Sequence, residues 1–157
     1  MGVEALNDDQ SETWISTLGR ARRRIDLLLP DNDASGWEQS ERVDALINAL
    51  RRHPMARLRI LTDNSRALRT RLPVLSAKLQ RLSSRVAVAD LQSPDLADQQ
   101  SSALLQVAVL IVDASSFSER DAHRARSRKA AWSARVQIFE ALWSIASPTR
   151  EWSRLTL

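Results

Sequence analysis

A chain of 157 residues with 43% hydrophobic and 27% charged side chains can build one domain with its own core, and no segment reaches the roughly 18 apolar residues of a membrane-spanning helix. The absence of cysteine excludes disulfides, thiolate catalysis and thiolate-bound metals, and with only two histidines, His53 and His123, no metal or other cofactor is expected. Net charge is +4, and the acidic opening MGVEALNDDQSE lacks the basic and apolar regions of a secretory leader, which predicts a single cytoplasmic domain over residues 1–157 with no membrane insertion.

In chain order, Asp8–Arg23 reads as a first helix, with Asp8, Asp9 and Glu12 in the turn where the helix dipole favours acids, and Trp14, Ile15 and Leu18 on one face. It runs into a short apolar strand, Arg24–Pro30, closed by the turn residues Pro30-Asp31-Asn32-Asp33. Gln39–Arg52 places Val43, Leu46, Ile47 and Leu50 at the spacing of a core-facing helix that ends at His53-Pro54. Arg57–Asp63 alternates as a second strand. The helical stretch that follows splits into Ser65–Leu72 and Pro73–Ser83, because Pro73 has no amide proton to donate and best begins a helix. Leu68, Leu72, Leu75, Leu79 and Leu82 form its buried stripe.

Arg85–Leu91 is the third strand, and Gln92–Ser102 is a polar surface connection. Leu104–Asp113, LLQVAVLIVD, is the longest nearly unbroken apolar run and is rich in β-branched residues, so it reads as a central strand buried on both faces. Ser115–Asp121 is expected to return beside it as a hairpin, followed by a basic stretch, His123–Lys129. Trp132, Val136, Phe139 and Trp143 mark one face of a last helix, Ala130–Ala146, and the tail EWSRLTL folds back through Trp152 and Leu155. This alternation of strands and helices predicts an α/β domain, with a mixed, mostly parallel sheet and helices on both faces.

With three glycines, the chain has neither GxGxxG nor GxxxxGK[ST], so neither standard nucleotide loop is present. Acids follow every strand, namely Asp31, Asp63, Asp90 and Asp113. Parallel strands would gather these on one edge, where Mg²⁺ or a phosphoryl group could bind, but aspartate after a strand also simply starts turns. Ser115, Ser116 and Ser118 lack the GxSxG elbow and a placed base. Two basic runs stand out. Arg66, Arg69 and Arg71 lie in a stretch from Ser65 to Ala89 without an acid, and Arg120, Arg124, Arg126, Arg128 and Lys129 are offset only by Asp121. Arg66, Arg69 and Arg71 are the candidate nucleic-acid contacts, though Arg outnumbers Lys by 21 to 2 along the whole chain and no stacking aromatics interleave the arginines, which argues against nucleic acid as the partner.

The order of elements, with a helix running into RRIDLLLP, then ERVDALINALRR and RLRILTDN, resembles the phospholipase D superfamily. Its signature HxKxxxxD finds its spacing in QVAVLIVD, with Gln106 in the histidine place, Ala108 in the lysine place and Asp113 in the aspartate place. The resemblance implies a three-layer α/β sandwich. In that family the histidine attacks the phosphodiester phosphorus and the lysine binds the phosphate. Glutamine cannot form the phosphoenzyme, alanine supplies no cation, and the family's GSxN element is absent after Asp113. The resemblance therefore implies a degenerate, non-catalytic member that binds a phosphate-containing ligand or a protein partner, pairing as a homodimer. Gln106, Asp113 and Arg120 are its candidate ligand-binding residues. The alternative is a divergent phosphodiesterase or a phosphate- or nucleic-acid-binding domain.

Overall fold

The computed structural model describes residues 14–91, 108–113, 115–118 and 129–149. The described part of the first helix, α1, spans 14–19. Then come β1 (Arg24–Leu28), α2 (Ser40–Arg52), β2 (Arg57–Thr62), α3 (Ser65–Arg71), α4 (Pro73–Gln80), β3 (Val86–Asp90), β4 (Val109–Val112), β5 (Ser115–Ser118), α5 (Lys129–Ile145) and the two-residue β6 (Ser147–Pro148), with 3₁₀ turns at Asp31–Asp33, Ser35–Glu38 and Ser83–Arg85. The expected connection Gln92–Ser102, most of His123–Lys129 and the tail lie outside the described residues. No described helix is long and apolar enough to cross a membrane.

The strands form one sheet in the order β5-β4-β1-β2-β3-β6. β1, β2 and β3 are parallel, whereas β4 is antiparallel to β1, β5 to β4 and β6 to β3. The sheet is thus mixed, and the expectation of a mostly parallel one is corrected: three of its five ladders are antiparallel. The reason lies in the direction of the third crossing. β3 ends and β4 begins at the same edge, so the chain re-enters the sheet running back, antiparallel to β1. The apolar run is also displaced from its expected central place. β1 and β2 hold the middle, and β4 lies second from the edge, though all four of its residues are buried.

Alternation along each strand feeds two cores. Ile25, Leu27, Leu58, Ile60, Val88, Leu110 and Val112 pack against Leu18 of α1, Val43, Leu46 and Leu50 of α2, Leu68 of α3, and Leu75 and Leu79 of α4. Leu28, Leu61, Ala89, Val109 and Ile111 face the other way, against Phe139 and Leu142 of α5. This gives an α/β domain with helices on both faces of the sheet; the predicted stripe of α2 is buried throughout, and that of α3 and α4 is buried except for Leu82, which is half-buried. Pro73 stands at the first turn of α4, where its missing N–H costs nothing.

Candidate functional site

The carboxyl ends of β1, β2 and β3 reach one edge, the usual ligand edge of an α/β sheet. The acids there are engaged in building the loops. Asp63 accepts a hydrogen bond from the Asp31 N–H at 3.0 Å, and Asp31 in turn pairs with Arg71, Nε to Oδ1 at 3.0 Å. Asp33 accepts the Ala108 N–H at 2.8 Å and so anchors the entry to β4. Asp90 accepts both the N–H and the Oγ–H of Ser65, each at 2.6 Å, fixing the start of α3, where Asn64 caps the Ala67 N–H at 3.0 Å. A cleft of about 280 Å³ lies between these groups, with Asp63, Ser65, Arg66, Asp90 and Thr149 in its wall. Ser65 has a carboxylate beside it. The described histidine, His53, ends α2, ahead of the start of β2 at the opposite edge, so among the described residues no imidazole base is brought to this hydroxyl.

Asp113 does not join the other three. Because β4 runs against β1, its last residue lies beside Arg24, at the amino-terminal edge of the parallel strands. The expectation of one rim of four acids is corrected accordingly. Asp113 turns the β4–β5 hairpin with φ of 49°, a left-handed conformation that aspartate tolerates better than most residues. Its carboxylate accepts the backbone N–H groups of Arg22, Arg23 and Arg24, each at 2.9 Å, and its own N–H donates to the Arg24 carbonyl at 3.0 Å. Partial burial would raise its pKa, but these three donors outweigh burial and hold the carboxyl below its ordinary value. A cleft of about 580 Å³ opens beside it, lined by Arg22, Arg23, Arg24, Met55, Arg57 and Asp113.

A third polar cluster lies under α5. Asp26 of β1, only 1% exposed, receives Arg59 of β2 at Nε–Oδ1 2.8 Å and Nη2–Oδ2 3.1 Å. Arg59 also binds Glu140 of α5, and Arg24 bridges Asp26 and Glu140, at 3.2 Å to each. The Arg59 guanidinium lies 5.1 Å from the centroid of Phe139 and 5.2 Å from that of Trp143, which stack on each other. Burial pushes the Asp26 carboxyl above its ordinary value in spite of Arg59. The hydrogen bond from Arg59 holds Glu140 below its own, and Arg59 stays charged because these two carboxylates outweigh its desolvation.

Of the residues singled out from sequence, Gln106 and Arg120 lie outside the described part. Ala108, in the lysine place, is buried at the carboxyl edge, while Asp113 stands at the other end of the same strand, about 17 Å away at strand rise. Arg66, Arg69 and Arg71 are exposed on α3, with Arg66 at the rim of the smaller cleft and Arg71 held by Asp31. Sequence reasoning missed Asp26, Arg59 and Glu140, and it missed the arginines of the amino-terminal edge. One signal was available for the first group: an acid inside RIDLLLP and a base inside RLRILTD, at matching positions of two neighbouring parallel strands. No three His, Asp or Glu side chains come together with metal-site geometry among the described residues.

A mixed sheet between two helical layers, with its strand-end carboxylates fastening backbone, defines an α/β domain whose acids chiefly build the fold. The chain belongs to the family described as Domain of unknown function (DUF7931), whose model matches residues 7–155. No curated protein matches it.

Proposed function

We propose that this domain is a non-catalytic, phospholipase D-like module that binds a ligand and does not turn one over. The observation that carries the reading is the role of Asp113. A carboxylate that accepts three backbone N–H groups at 2.9 Å has a complete structural reason for its presence and is held ionised, so it is not poised to move protons at neutral pH. The other two signature places carry Gln106 and Ala108, neither a nucleophile for phosphorus nor a cation for phosphate. The mixed sheet with helices on both faces supports the likeness at the level of fold, and fold alone confers no activity.

The test is a chromogenic phosphodiester, bis(p-nitrophenyl) phosphate, incubated with the full chain and with Gln106→Ala. Release at the buffer rate by both is the expected result. Turnover by the native chain that disappears in Gln106→Ala would overturn the proposal and restore the phosphodiesterase reading.

A further inference from the structure

The amino-terminal edge carries positive charge that the acids among the described residues do not neutralise. Four arginines and one aspartate line its cleft of about 580 Å³. Arg24 is matched by Asp26 and Glu140, within a group of two arginines and two carboxylates that is neutral as a whole. The balance is Arg22, Arg23 and Arg57 against Asp113, a surplus of two positive charges. Arg22 and Arg23 are exposed, and neither side chain is bound to a carboxylate among the described residues; Arg57 donates to a carbonyl, that of Ser84 at 3.3 Å, which leaves its charge uncompensated.

Parallel pairing brings Arg57 to the same edge as Arg24, whose own charge Asp26 and Glu140 already meet, so the surplus at the cleft rests on Arg22, Arg23 and Arg57. The backbone that presents Arg22, Arg23 and Arg24 is also fixed in advance, by three hydrogen bonds to one carboxylate, so little ordering is left for binding to demand. The volume falls within the range of small-molecule sites, and Met55, 79% exposed, supplies an apolar wall beside the cations.

We infer that this cleft binds the phosphate dianion of a small phosphomonoester, with a compact apolar group of the ligand against Met55. A phosphomonoester carries close to two negative charges at neutral pH, which matches the surplus, and its terminal oxygens suit the forked donors of arginine. A phosphodiester carries one charge and would leave half of that surplus unmatched. The site is at the opposite edge of the sheet from Ala108, so it is separate from the place where the superfamily signature would put a phosphate. The inference rests on the reading of the domain as a binding module.

Calorimetric titration of the full chain at low salt, with phenyl phosphate, inorganic phosphate and dimethyl phosphate, tests it. Saturable one-to-one binding of phenyl phosphate is expected, with inorganic phosphate weaker and dimethyl phosphate weaker by about tenfold or more. Arg22→Gln/Arg23→Gln should lower the affinity for phenyl phosphate by about tenfold for each arginine removed, with an unchanged melting temperature, and Arg57→Gln gives an independent check should the double variant not fold. Lys78→Gln, which removes a cation paired with Asp44 on the helical layer, should leave binding unchanged. Equal affinity for phenyl and dimethyl phosphate, insensitivity to the arginine variants, or capture by phosphatidic acid vesicles without binding of phenyl phosphate overturns the inference. Hydrolysis of bis(p-nitrophenyl) phosphate in the same samples instead defeats the binding-module reading and is read out separately.

Discussion

Replacing Arg59 with methionine tests how α5 is held to the sheet. Methionine keeps an apolar side chain against Phe139 and Trp143 and removes the guanidinium that neutralises Asp26. The Asp26 side chain is 2% exposed, and in Arg59→Met its remaining cation is Arg24, at 3.2 Å but 43% exposed. Breaking a buried pair from one side costs about 3–5 kcal/mol, and the survival of Arg24 places this case at the lower end, about 3 kcal/mol. For a domain of this size that corresponds to a melting temperature lower by roughly 6–12 °C. The sign of the pH dependence follows from burial. Asp26 already has a raised folded-state pKa, and loss of Arg59 raises it further, so the ionised form is penalised above that value. The deficit of Arg59→Met is therefore largest at neutral pH and shrinks as pH falls and Asp26 takes up a proton. Asp26→Leu/Arg59→Met removes both charges and should return to within about 1 kcal/mol of the native chain, because well-packed apolar replacements of a buried pair are commonly neutral or better. Urea unfolding at pH 7, followed by tryptophan fluorescence, measures all three. An Arg59→Met chain within 1 kcal/mol of native, or a double variant no better than the single one, would refute the reasoning.

Glu140→Gln should cost under about 1 kcal/mol in the same assay, since its carboxylate is 42% exposed and water can replace the lost pair. Asp113→Ala loses three charge-assisted hydrogen bonds, and with them the polar side chain that lets this position hold a positive φ, for about 2–4 kcal/mol, whereas Asp113→Asn keeps one acceptor oxygen and tolerates the turn, for about 1–2 kcal/mol; denaturant midpoints should rank them in that order. Because the folded-state pKa values of Asp113 and Glu140 lie below their ordinary ones, their contribution is full above about pH 5 and disappears as pH falls through those lowered values, so acid titration should show a stability loss beginning below about pH 4 that is smaller in Asp113→Asn. Glu38→Gln should destabilise by about 1 kcal/mol and raise amide exchange at the start of α4, since Glu38 accepts the N–H groups of Val74 and Leu75 at 2.8 and 3.2 Å from outside that helix.

Elements whose identity depends on local pattern were readable from the chain. The apolar spacing of α2, the proline that opens α4 and the alternation of β2 each specify structure within a few residues, and each appears within one to three residues of its expected bounds. Strand direction was not local in this sense. Whether LLQVAVLIVD runs with or against its neighbours depends on which edge the chain occupies when it arrives, and its own residues read the same in both cases. That one undetermined bit moved Asp113 from the ligand edge to the opposite one and turned an apparent member of an acidic rim into a clamp on the backbone of residues 22–24.

The arginine excess shows the same division. As composition it read as a usage bias, with two runs of positive charge marking the candidate contacts. In the fold, several arginines answer particular carbonyls: Arg85 donates to those of Leu50, His53 and Pro54, and Arg52 donates to that of Gly19 at 3.1 Å. These contacts use the long forked side chain to close the carboxyl-terminal ends of α1 and α2, where unpaired carbonyls and the helix dipole both favour a cation. Arg59 answers two carboxylates inside the molecule. Beyond the arginines so engaged, the charge at the amino-terminal edge is a part of the bias that no ion pair among the described residues accounts for. It is also the part that the linear sequence divides, since Arg22 and Arg23 precede β1 while Arg57 opens β2, and parallel pairing of the two strands is what brings them to one cleft.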